Sequence, residues 1–143
     1  MKLNIRKLES KDWDILCGWW KDWGFENIPA KDFLPEDGKG GLIVETEEGV
    51  GICSIFMYTT NSKLCQVNWP LSNKNFRNKE IKNKAFDLLM LGVENMWKTS
   101  GGKYLVFYGS MGTNKFQERL QNGNIPKLWP LWEVLELPFT LPA

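Results

Sequence analysis

Residues 79–99 constrain the fold more than any other stretch of the chain. Ile81, Ala85, Leu88, Leu89, Val93, Met96 and Trp97 recur at helical spacing and form one apolar stripe, with Gly92 as its weak position. Asn75 or Asn78 offers a cap at its start, and Ser100-Gly101-Gly102 ends it. Residues 63–72 before it read as a strand. Residues 104–108 after it are continuously apolar, the pattern of a strand buried on both faces. A strand–helix–strand unit of this kind implies a parallel pair joined by a right-handed crossover.

The remaining elements follow from local signals. Residues 3–8 alternate apolar and polar and read as a strand. Ser10 offers an N-cap to a helix carrying Trp13, Leu16, Cys17 and Trp20, and Gly24 sits where it would stop. Residues 28–41 are broken by Pro29, Pro35 and the Gly38–Gly41 cluster, with room for one helical turn at Asp32-Phe33-Leu34. Residues 42–45 and 50–59 make a hairpin across Glu47-Glu48-Gly49. Pro70 falls inside the following strand and cannot donate to a ladder, so a bulge or a parting from a neighbour is expected there. A second helix over 114–121 and a last strand near 132–137 complete the chain.

Composition narrows the chemistry. The 143 residues suit one domain spanning 1–143, with 43% hydrophobic and 24% charged residues. A net charge of +1 argues against a general nucleic-acid surface. Cys17, Cys53 and Cys65 are odd in number and widely spaced, which fits free thiols in a reducing compartment. No apolar run approaches a membrane span and the N-terminus lacks a signal-peptide core, so a soluble, cytoplasmic protein without membrane partners is expected. Histidine is absent, which excludes Ser-His-Asp and Cys-His catalysis and leaves no metal site to propose. The eight tryptophans fill a small core or line a substrate groove or partner surface.

The element order resembles the GNAT N-acetyltransferase superfamily over nearly the whole chain. The opening Ile5-Arg6-Lys7-Leu8-Glu9-Ser10-Lys11-Asp12-Trp13 is similar to the family's first strand and helix start. Residues 71–85 look like its central motif, in which a strand ends, an Arg/Gln-x-x-Gly-x-Gly/Ala loop follows, and a long helix begins. Gly101-Gly102-Lys103-Tyr104-Leu105-Val106-Phe107 resembles the next strand, and residues 114–125 the final helix. The resemblance implies an α/β (α+β) fold: a mixed, mostly antiparallel central sheet flanked by helices, with splayed central parallel strands. It implies acetyl-CoA as co-substrate and a small-molecule or peptide amine as acceptor.

The same resemblance assigns residues. Leu71 and Ser72 match the strand-end positions that hold the pantetheine arm. Arg77, Asn78, Lys79, Glu80, Ile81 and Lys82 occupy the diphosphate loop, and Asn114 opens the final helix beside it. Arg77 matches the first motif position, but Glu80 and Lys82 replace the two glycines. Side chains there hinder close approach, and a carboxylate at position 80 opposes phosphate; Arg77, Lys79, Lys82 and Lys84 offer compensation. The family's thiolate-protonating tyrosine is replaced by Arg119, and its strand glutamate by Gln66, Asn68 and Trp69. Tyr108 (with Tyr58) and Glu45 are the candidate acid and base. These departures keep a second reading open, a GNAT-fold binding module without turnover, which would suit a phage-encoded protein. The tryptophan-rich C-terminal strand offers an edge for a homodimer.

Overall fold

A computed structural model of the chain describes residues 2–107. The helix and final strand expected beyond residue 113, with Tyr108, Asn114 and Arg119, lie outside the described residues.

Five strands form one sheet in the order β1-β2-β3-β4-β5: β1 Leu3–Lys7, β2 Gly41–Thr46, β3 Gly51–Thr59, β4 Leu64–Ser72 and β5 Tyr104–Phe107. The first three pairings are antiparallel and the β4–β5 pairing is parallel. Helix α1, Trp13–Asp22, lies on one face and α2, Lys79–Thr99, on the other. Alternation along β2 divides the core. Leu42 and Val44 pack with Ala85, Leu89 and Val93 of α2, whereas Ile43 packs with Leu16, Trp19 and Trp20 of α1.

Each boundary has a local cause. The Asn78 side chain accepts the Ile81 N–H at 3.1 Å and caps α2. Gly101, at φ +90°, follows its C-terminus. Gly92 interrupts the apolar stripe because the helix passes close over β1: a Cβ there would run into the Ile5 side chain. The start of α1 differs from expectation. Ser10 belongs to a 3₁₀ turn, Ser10–Asp12, and it is the buried Asp12 carboxylate that accepts the Glu9 N–H at 2.8 Å. Arg6 selects Asp12 for that place by binding it from β1.

The bulge expected at Pro70 is present. Phe56 pairs with Asn68 and Ser54 with Leu71, so three steps on β4 match two on β3 and Trp69-Pro70 faces Ile55 alone. Trp69 takes a φ of +59°, a left-handed conformation that a tryptophan adopts only when its surroundings hold it. The ring packs edge-on against Trp20 and Phe33, and its indole N–H donates to the Tyr58 hydroxyl at 2.9 Å.

Candidate coenzyme site at the end of β4

The C-terminal end of β4 defines the site. Among the described residues, which end at Phe107, the two strands pair from Leu64–Tyr104 to Val67–Phe107, and β4 runs on to Ser72. Downstream of the bulge, Asn73 N–H donates to Ile52 O at 2.8 Å, toward β3. In a trans peptide the preceding carbonyl points the opposite way, so Ser72 C=O faces away from β3, toward the side on which β5 pairs lower down.

The loop between β4 and α2 is built by asparagines. Asn73 Nδ2 donates to Gly51 O at 2.9 Å, and Asn73 Oδ1 accepts the Asn75 N–H at 3.0 Å. This side-chain turn fixes the approach to α2. Among the described residues nothing accepts from the amides of Lys79 and Glu80, the first two of the helix, whereas those of Ile81 and Lys82 bond to Asn78. Free amides at a helix start carry partial positive charge and suit phosphate. Beside them is a shallow depression of about 520 Å3 lined by Lys74, Asn75, Phe76, Arg77, Lys79 and Lys82. Lys82 is half-buried, and desolvation lowers its pKa from the usual lysine range.

The structure thus brings Leu71, Ser72 and residues 77–82 to one end of the sheet. Glu80 does not obstruct the helix start. Its side chain is 83% exposed and leans along α2 toward Lys84, 3.8 Å away. Glu45 is not brought to the end of β4. It sits on β2, with β3 between it and β4, and its carboxylate accepts from Arg6 Nε at 3.0 Å and Nη2 at 3.3 Å. Tyr58 donates to Phe33 O at 3.2 Å, and burial raises its pKa against the opposing indole hydrogen bond from Trp69. Cys53 and Cys65 are buried, and desolvation pushes the Cys65 thiol up to about 12, which keeps it unreactive.

Two features of the site were not expected from the sequence. Asn68, one of the residues in place of the family's strand glutamate, carries a buried Oδ1 without a hydrogen-bond partner among the described residues, one residue past Val67 on β4. Trp23, one residue beyond α1, donates from its indole to Ser72 O at 2.8 Å across a separation of 49 residues.

No protein-family model matches the chain, and no curated protein matches it by sequence. Solved structures do match in fold. The N-acetylglutamate synthase of Neisseria gonorrhoeae, complexed with coenzyme A and N-acetyl-glutamate, superposes with a TM-score of 0.62 at 13% identity, covering 83% of this chain and 28% of that one. A GNAT-family acetyltransferase of Staphylococcus aureus Mu50 matches with a TM-score of 0.58 at 13% identity, covering 90% and 94%. The PaiA N-acetyltransferase of Thermoplasma acidophilum, in complex with coenzyme A, matches at 0.57 and 16% identity, covering 86% and 89%. The chain spans only about a quarter of the synthase but nearly the full length of the other two. This chain has the fold of the GNAT acetyltransferases.

Proposed function

We propose that the chain binds acetyl-CoA at the C-terminal end of β4 and transfers its acetyl group to an amine of a small molecule or peptide. The observation that carries this reading is the convergence at one sheet end of a strand terminus, two helix-start amides without an acceptor among the described residues, and four cationic side chains. The donor set fits a diphosphate: directional N–H groups, the helix dipole and charge on Arg77, Lys79 and Lys82. The outward lean of Glu80 removes the repulsion its position implies.

Transfer needs little covalent help from the protein. The acceptor nitrogen forms a bond to the acetyl carbonyl carbon, the carbon–sulfur bond breaks, coenzyme A departs as thiolate, and the acceptor nitrogen gives up a proton. The chain's part is to hold the thioester along β4, to polarise its carbonyl with strand-end amides near Leu71 and Ser72, and to exclude water. Tyr108 is the proposed donor to the thiolate; Glu45, bound by Arg6 two strands away from β4, is not placed to act as the base. The aromatic group Phe33, Tyr58 and Trp69 offers a wall for the acceptor.

A second reading, coenzyme-free binding of a partner, is favoured by one observation: the Ser72 carbonyl is already engaged by Trp23. Calorimetric titration with acetyl-CoA separates the two. Heat and a thermal shift at micromolar to millimolar ligand are expected; silence at millimolar ligand overturns the acetyltransferase reading.

A further inference from the structure

The geometry points to Trp23 as a latch on the coenzyme lane: its indole occupies the strand-end carbonyl that the pantetheine arm needs, and must leave before the coenzyme seats. This inference rests on the proposed coenzyme site and concerns its regulation. Three observations carry it. The Ser72 carbonyl faces away from β3 because Asn73 N–H is committed to Ile52, so it is the group β4 offers to a ligand lying on that side. Trp23 Nε1 sits 2.8 Å from that oxygen, a full hydrogen bond. Trp23 is nonetheless 46% exposed, so it lies over the site without being built into the core.

The latch also restrains a cation. Lys74 Nζ lies 5.2 Å from the centroid of the Trp23 ring and 3.4 Å from Asp22 O at the C-terminal end of α1. Ring and helix end both attract an ammonium group. Lys74 lines the depression at the start of α2, and in this arrangement its charge is directed back to α1. Asn75 Nδ2 strengthens the same junction through Asp22 Oδ2 at 3.3 Å. Swinging the Trp23 side chain away therefore exposes a carbonyl for the pantetheine amide and, in the same motion, releases one of the two contacts that direct Lys74 back to α1. Gly24, next in the chain, takes a φ of +85° and has open space around its Cβ position.

The test compares the wild type with Trp23→Phe, which keeps a ring for Lys74 and removes the indole N–H. Acetyl-CoA affinity by calorimetry should rise about fivefold in the variant, the equivalent of one ordinary hydrogen bond no longer broken on binding. Wild-type silence with measurable binding by Trp23→Phe supports the latch still more directly. Equal or weaker binding by the variant overturns the latch and leaves the coenzyme site standing. Silence from both proteins overturns the site and the latch together. An independent readout uses the wild type alone. The indole N–H resonance of Trp23, identified by its loss in Trp23→Phe, should exchange slowly with water in the free protein and faster when acetyl-CoA is added; unchanged exchange in a protein that binds overturns the proposal.

Discussion

Arg6 grips Asp12 with both terminal nitrogens, Nη1 to Oδ2 at 2.9 Å and Nη2 to Oδ1 at 2.8 Å, and so ties β1 to the start of α1. The Asp12 side chain is 2% exposed, and the same guanidinium reaches Glu45 on β2. Burial works to raise the Asp12 carboxyl, but the Arg6 hydrogen bonds and charge, with the Glu9 amide, outweigh it and hold it below its ordinary value. Arg6→Ala leaves that carboxylate buried and uncompensated, and should cost about 3 kcal/mol in urea unfolding at pH 7. Glu45→Gln leaves the Asp12 pair intact and should cost under about 1 kcal/mol. Because the folded-state pKa of Asp12 is depressed, its contribution is complete above the ordinary value of 3.8 and is lost as pH falls through the folded value. The gap between wild type and Arg6→Ala should therefore narrow in acid.

The cations at the start of α2 set coenzyme affinity. Arg77→Ala with Lys82→Ala should weaken acetyl-CoA binding at least tenfold, with a shallower salt dependence than the wild type. Glu80→Gly should leave binding nearly unchanged, because the carboxylate already leans away toward Lys84, and should lower helix stability by about 1 kcal/mol, since glycine is a poor helix residue. Calorimetry at two ionic strengths checks both. Affinity unmoved by the double substitution would remove the phosphate contacts.

Asn68 tests the proposed placement of the acceptor. Its Oδ1 is buried without a partner among the described residues, so Asn68→Leu removes an unsatisfied acceptor and should change stability by less than about 1 kcal/mol. Under the acetyltransferase reading the same variant should raise the acceptor KM several-fold while acetyl-CoA affinity is retained. A loss of coenzyme affinity instead would place Asn68 on the donor side.

The sequence made the helix over 79–99 legible end to end, because its cap, stripe and terminal glycines act locally and agree. The hairpin strands, the parallel β4–β5 pair and the bulge at Pro70 were legible for the same reason. The motif positions 71–82 fell together at the site because strand end and helix start are consecutive. Contacts between distant segments were not legible. Nothing near Trp23 announces Ser72, and nothing near Arg6 announces that Asp12, not Ser10, would begin α1. Side-chain direction was also hidden: Glu80 opposes phosphate on paper, yet a helical position places it four residues from Lys84 and outward.

Glu94 was hidden for the opposite reason, since a glutamate on an amphipathic helix reads as solvated. It is 3% exposed, its Oε2 has no hydrogen-bond partner among the described residues, and burial pushes its pKa up to about 7. The ordinary value of 4.5 applies once the chain unfolds. Between the two values the folded state binds the extra proton, so stability falls as pH rises from about 4.5 through 7 and levels off above. The span is on the order of 3 kcal/mol at most. Glu94→Gln keeps the shape and carries no charge, so it should abolish this slope and be the more stable protein at pH 8, with little difference near pH 5. Urea midpoints at pH 5, 6, 7 and 8 decide it. Parallel curves for the two proteins would mean that Glu94 is ionised and solvated in the folded state.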